Sequence, residues 1–223
     1  MRWRTIGVIG GMGPAATADF MARLVACAGA ARDSDHPRVL IDSNPYVPDR
    51  NEAIAGTGPS PGPVLAAMAA NLLAQGAEVL AMPCNAAHGW ADDVRAVAAG
   101  RFVDIIDTAI AAAMQHNPRR IGVIAIGATL DGGLYDRAPV PVIAADRLVV
   151  QPLVNRIKAG DTGAAVATAM TAIAAGLVAN GADVIIAACT EVPLVLAASA
   201  VTVPLIDATA ALATATLAAA SMG

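Results

Sequence analysis

The chain has 223 residues, a net charge of −4, and a hydrophobic fraction of 57% against a charged fraction of 14%. That balance excludes a disordered chain, and 14 Lys and Arg residues scattered without a basic stripe exclude a nucleic-acid surface. Aromatic residues make up only 3%, and Thr recurs through the alanine-rich stretches 164–179 and 208–220, so no bulky apolar run reaches the roughly 18 residues of a membrane span.

In chain order, Ile6-Gly7-Val8-Ile9 reads as a buried strand, too short for a signal peptide. The expected location is therefore the cytoplasm. Gly10-Gly11-Met12-Gly13-Pro14 is a turn, with Pro14 suited to the first position of a helix over about 15–30. Cys27 falls in that helix among apolar neighbours and is expected in its core. A strand at Arg38–Asp42 precedes a long loop, 43–62, punctuated by Pro45, Pro48, Pro59 and Pro61. Loops of that length in a compact domain usually line a site. A helix over about 63–75, a short buried strand at Glu78–Ala81, a helix over about 87–99, a strand at Phe102–Ile106 and a helix over 108–116 follow.

Then the pattern restarts. Arg4-Thr5-Ile6-Gly7-Val8-Ile9 returns as Arg119-Arg120-Ile121-Gly122-Val123-Ile124, and Gly76 to Asn85 returns as Gly181 to Thr190. The offset is 115 from Ile6 to Ile121, 105 from Cys84 to Cys189, and 100 from Asp107 to Asp207. Matches in one order with shrinking offsets imply a duplicated βα unit whose second copy has shorter loops. The expected architecture is α/β, with a first lobe over 1–107 and a second over 108–207. Alternating strands and helices predict parallel sheets, with ligands gathered beyond the carboxyl ends of the strands, where Gly10, Cys84, Ala125 and Cys189 fall.

Three cysteines do not make a disulfide framework, and two of them, Cys84 and Cys189, hold equivalent positions in the repeat. A thiolate is favoured at a strand-to-helix junction by unpaired N–H groups. If the lobes face each other, two opposed thiols suit one reaction: one removes a proton from carbon, and the other delivers a proton to the opposite face. His88, four residues after Cys84, either tunes that thiolate or caps and packs. Glu191, two residues after Cys189, either supports the thiol or only complements a helix dipole. Two other constellations are weaker. Gly11-x-Gly13-x-x-Ala16 with Asp42 resembles a dinucleotide fingerprint, an alternative binding-module reading. His36, Cys84 and His88 match no usual zinc spacing, so no metal is expected.

Taken together, Ile6 to Thr17, Pro48-Asp49-Arg50, Pro83 to His88, Lys158-Ala159-Gly160 and Ala188-Cys189-Thr190-Glu191 resemble the aspartate/glutamate racemase superfamily, closest to its aspartate racemase branch of PLP-independent amino-acid racemases. The resemblance implies two pseudo-symmetric flavodoxin-like lobes with the active site in the cleft between them. It also implies a C-terminal helix over 208–223 packed back on the first lobe, no cofactor, and a homodimer. Carried onto this sequence, it gives Cys84 and Cys189 as the acid/base pair and Arg50 and Lys158 as holders of substrate carboxylates. Met12, Asn85, Ala86, Thr129 and Thr190 become further substrate contacts, with His88 and Glu191 in support. The expected substrate is aspartate or a related acidic amino acid. The chain departs from the family at Ala86 and in the Thr-poor turn 125–128, where hydroxyls are usual. Isomerase or decarboxylase chemistry on a small dicarboxylate, also found in the superfamily, is the enzymatic alternative.

Overall fold

The computed structural model of the protein describes residues 3–222. The chain forms two compact units, one comprising the chain up to Thr108 with the segment from Thr209 onward, the other Ala109–Ala208. The first unit begins β1 (Ile6–Gly10), α1 (Pro14–Ala28), β2 (Val39–Ser43), α2 (Arg50–Ile54), α3 (Gly62–Ala74) and β3 (Val79–Ala81). It continues through α4 (Ala91–Ala98) and β4 (Phe102–Val103) into α5 (Ile105–Met114), within which the boundary falls. The second unit contains β5 (Ile121–Ile124), α6 (Gly127–Asp131), β6 (Val142–Ala144), α7 (Arg147–Lys158), α8 (Ala164–Ala179), β7 (Val184–Ala187) and β8 (Leu205–Asp207). The chain ends with α9 (Ala208–Ala220).

Each unit has one four-stranded parallel sheet, ordered β2-β1-β3-β4 in the first and β6-β5-β7-β8 in the second. The duplication read from the sequence is thus a duplication of topology, and it extends to packing. A Cβ on Gly7 would meet Leu72, Ala77 and Leu80, while one on Gly122 would meet Leu177, Ala182 and Ile185, each 105 residues later in sequence. Glycine at both positions lets a helix lie close on the central strand. The carboxylate before the neighbouring strand is also repeated: Glu78 Oε2 accepts the Thr5 amide at 2.8 Å, and Asp183 Oδ1 accepts the Arg120 amide at 3.0 Å.

The strands β1, β3, β5 and β7 are buried along their whole length, as continuous apolar runs in helix-covered parallel sheets should be. Helix α1 opens with Pro14 and buries Ala16, Thr17, Phe20 and Leu24 against this core. Fully burying a side chain of the size of Phe20 or Leu24 contributes about 1.5–3 kcal/mol. In the first unit the chain ends join, with the Arg4 amide donating to Ala220 O at 2.8 Å and Trp3 bridging Ser221. Among the described residues no helix is long and apolar enough to cross a membrane.

Four expectations need correction. Ile105 and Ile106 open α5 and do not extend β4, because the Asp104 carboxylate accepts from the Ile106 and Asp107 amides and starts a helix there. Residues Ala86–Trp90 form a 3-10 turn ahead of α4 where continuous α-helix was expected. The long loop after β2 contains the short helix α2, capped by Asp49, which accepts from Asn51 and Glu52. Cys27 is exposed, since the buried stripe of α1 ends at Leu24, one turn earlier.

Candidate active site

In the first unit the candidate residues lie past the carboxyl ends of β1 and β3. Met12 is buried in the turn after β1, whose shape is set from α1: the Gly11 amide donates to Thr17 Oγ1 at 2.8 Å, and that hydroxyl donates to Gly13 O at 3.1 Å. With the Gly11 amide engaged and Pro14 lacking an N–H, little is left of the phosphate cradle that a dinucleotide fingerprint requires. Past β3, the residues Cys84, Asn85, Ala86 and His88 are all buried.

His88 is held through both ring nitrogens by main-chain groups. Its Nε2 accepts the Ile105 amide at 3.1 Å, which places the ring proton on Nδ1, and Nδ1 donates to Cys84 O at 2.8 Å. The imidazole therefore ties the backbone of Cys84 to the start of α5, and with both nitrogens engaged it offers no lone pair to a metal. Behind it, Phe102 stacks on the ring at a centroid distance of 5.4 Å. Asp104 lies 3.8 Å from Nε2 and pairs with Arg95. Asp104, Arg95 and Phe102 were missed in the sequence. The one signal that could have found them was Asp104 itself, an acidic residue interrupting the apolar run 102–106 and a suitable helix cap.

Arg50 begins α2, and its Nη1 donates to Val47 O at 3.1 Å and to Pro48 O at 2.9 Å. The guanidinium is thus fixed to its own loop and makes no ion pair among the described residues. Its other N–H groups remain available to a carboxylate.

In the second unit, past β5 and β7, the structure brings four predicted residues together. Cys189 Sγ donates to Glu191 Oε2 at 2.9 Å, and Thr190 Oγ1 donates to the same oxygen at 3.0 Å. Lys158 Nζ, from the end of α7, stands 3.9 Å from Glu191 Oε1. Burial, then the negative charge of Glu191 and its hydrogen bond, push the Cys189 thiol well above its ordinary value, with Lys158 opposing weakly. Cys189 therefore rests as a thiol, a proton donor. Thr129, in α6, is buried, and its hydroxyl has no hydrogen-bond partner among the described residues.

Known proteins share both the sequence pattern and the fold. The sequence model of the Asp/Glu/Hydantoin racemase family matches residues 9–216. The broad specificity amino-acid racemase RacX of Bacillus subtilis (strain 168) is 26% identical, with 95% of this chain and 96% of that protein covered. The structure of the aspartate racemase of Picrophilus torridus superposes with a TM-score of 0.86 at 27% identity, covering 96% of this chain and 93% of that one. A glutamate racemase from Francisella tularensis subsp. tularensis SCHU S4, solved with D-glutamate, shares the fold at a TM-score of 0.69 and 19% identity, over 95% of this chain and 78% of that one. A match running through both sheets and both cysteine positions places this chain in the Asp/Glu/Hydantoin racemase family, as a racemase enzyme.

Proposed function

We propose that the enzyme inverts the α-carbon of a carboxylated amino acid without a cofactor, with Cys84 and Cys189 as the two acid/base groups. The observation that carries this reading is the Cys189 thiol donating to buried Glu191, at the position the sequence repeat pairs with Cys84. With Cys189 protonated at rest, Cys84 is the group that acts as thiolate. The α C–H bond breaks as a proton passes to Cys84 Sγ, and the Cys189 S–H proton passes to the other face of the same carbon. The product state has a thiol at Cys84 and a thiolate at Cys189, the form that accepts the opposite enantiomer. Glu191 and Lys158 support that exchange by sharing charge around Cys189.

For the substrate we propose aspartate or a related acidic amino acid. Arg50 and Lys158 supply cations for its carboxylates, and Met12, Asn85, Ala86, Thr129 and Thr190 form the remaining contacts. The names of the Picrophilus torridus and Bacillus subtilis relatives support an amino acid and bracket the specificity between narrow and broad. A homodimer working in a reducing cytoplasm completes the proposal. Exposed Leu148 and Val149, adjacent on α7, support self-association, and sedimentation at two concentrations tests it.

The test is incubation with a panel of L- and D-amino acids in D2O, without added cofactor, following α-deuteration and optical rotation. Exchange with inversion, abolished by Cys84→Ala and by Cys189→Ala, is the expected result. No exchange with any member of the panel, or exchange indifferent to both variants, overturns it. A thiol kept protonated also suits a decarboxylase with a single acid, and release of CO2 from a small dicarboxylate dependent on Cys189 alone would establish that second reading.

A further inference from the structure

We propose that the first unit carries a second binding site, for an organic anion bearing a phosphate or carboxylate group, at the amino ends of β1, β3 and β4. A cavity of about 480 Å³ opens there, lined by Arg4, Glu78, Val79, Arg101, Phe102 and Val103. Its size falls within the roughly 300–1,000 Å³ of small-molecule sites. Met12 and Cys84 lie at the carboxyl ends of the same strands, so this cavity is at the opposite edge of the sheet from the candidate catalytic residues.

Two guanidinium groups define its chemistry. Arg4 Nη1 donates to Ala219 O at 2.8 Å, and Arg101 Nε donates to Ala98 O at 3.0 Å. Each arginine is thus held at a helix end by one N–H, leaving four further donors per guanidinium. Neither pairs with a carboxylate among the described residues. Glu78, the acidic group in the lining, has its Oε2 fixed by the Thr5 amide at 2.8 Å. Two anchored cations against one carboxylate give the cavity a net positive charge and the forked donors that suit an oxyanion. Val79, Phe102 and Val103 supply an apolar wall for the rest of the molecule.

The site has a physical route to Cys84. Phe102 lines the cavity, and its ring stacks on His88, whose two nitrogens hold Cys84 O and the Ile105 amide. A ligand seated against Phe102 therefore bears on the residue that backs His88, and altered Cys84 reactivity on binding is the expected consequence. Binding stands apart from the racemase reading, and only its effect on turnover rests on that reading.

The experiment titrates the full chain with pyrophosphate and, in a separate arm, with citrate, at constant ionic strength. Amide NMR signals of Val79, Phe102 and Val103, with the methyl signals of the two valines, report binding, and peptide mapping gives the rate of Cys84 alkylation. Saturable shifts at these three residues are expected in at least one arm, and the stronger arm identifies phosphate or carboxylate as the preferred group. Arg4→Gln and Arg101→Gln should each weaken binding roughly tenfold or more, the scale of a lost charged hydrogen bond. Arg101→Lys, which keeps the charge, serves if the glutamine variant melts early, and should show a smaller loss. Saturation should change Cys84 alkylation at least twofold in the wild type and leave it unchanged in Phe102→Leu. Shifts that do not saturate, that map elsewhere, or that are equal in the arginine variants overturn the site. Saturable binding with unaltered Cys84 alkylation overturns the link.

Discussion

The Cys189 thiol and the Glu191 carboxylate share one proton's hydrogen bond, 2.9 Å long, in a buried corner past β7. Three influences act in one direction there: burial disfavours the thiolate, the carboxylate repels it, and the hydrogen bond rewards the protonated form. The carboxylate is itself held by the Thr190 hydroxyl and approached by Lys158, so it stays in place as an acceptor.

Glu191→Gln should therefore lower the Cys189 value toward that of an ordinary thiol without reaching it, because burial, the largest cause, remains. The measurement is the pH profile of Cys189 alkylation. Its midpoint should move to lower pH in the variant, and an unmoved midpoint would show that Glu191 does not control the thiol.

The same shift couples to folding. A folded-state value raised above the unfolded one means that the native chain holds its proton where the unfolded chain has released it. The stability so contributed is fully present below the ordinary thiol value of 9.0 and is lost as pH rises from there through the folded-state value. Urea midpoints should fall between pH 9 and higher pH, and less steeply in Cys189→Ala. Equal slopes for the two proteins would contradict the assignment.

Sequence carried the architecture further than the local chemistry. The repeat of Ile6–Ile9 at Ile121–Ile124, and of the strand before Cys84 at the strand before Cys189, anticipated two sheets of one topology, because burial of a parallel strand writes itself as an apolar run. Pro14 correctly marked the start of α1. Helix α5 was misjudged because Ile105 and Ile106 look like strand residues until Asp104 is seen to cap them. The role of His88 was illegible for a related reason: one of its partners, the Ile105 amide, lies 17 residues away, and only the fold brings it near. Glu191 was visible two residues from Cys189, but spacing alone does not show whether a carboxylate points at a thiol or at solvent.

His88→Ala removes the acceptor of the Ile105 amide, the donor to Cys84 O and the face on which Phe102 stacks. Loss of two buried hydrogen bonds should cost roughly 2–4 kcal/mol of stability. Thermal or urea unfolding checks that magnitude. Because the imidazole holds Cys84 through its backbone carbonyl, a purely positioning role predicts that residual exchange activity keeps the wild-type pH profile while its rate falls. A shifted profile would restore His88 to the role of thiolate partner.

Arg50 is anchored by Val47 O and Pro48 O, and a lysine cannot keep that anchor and also present a planar fork to a carboxylate. Arg50→Lys and Arg50→Ala should both lower kcat/KM, the alanine variant by roughly 10- to 100-fold, the scale of one charged hydrogen-bonded contact. The loss should fall mainly on KM if Arg50 holds the substrate in ground and transition states alike. An unchanged KM with a lowered kcat would move Arg50 from binding to the chemical step.

Gly11 has a φ of +93°, and a Cβ placed there would collide with the backbone of Asn44. Neither the conformation nor the space tolerates alanine, and because the neighbour is main chain, relief requires the strand end at β2 or the turn itself to move. Gly11→Ala should destabilise the protein by roughly 2–3 kcal/mol. The same shift would break the Gly11 amide bond to Thr17 Oγ1 and displace Met12. Urea unfolding of Gly11→Ala beside Thr17→Val separates the two effects: Thr17→Val loses only the hydroxyl's bonds and should cost less. A Gly11→Ala protein as stable as the wild type would mean that this turn is not held as the structure shows.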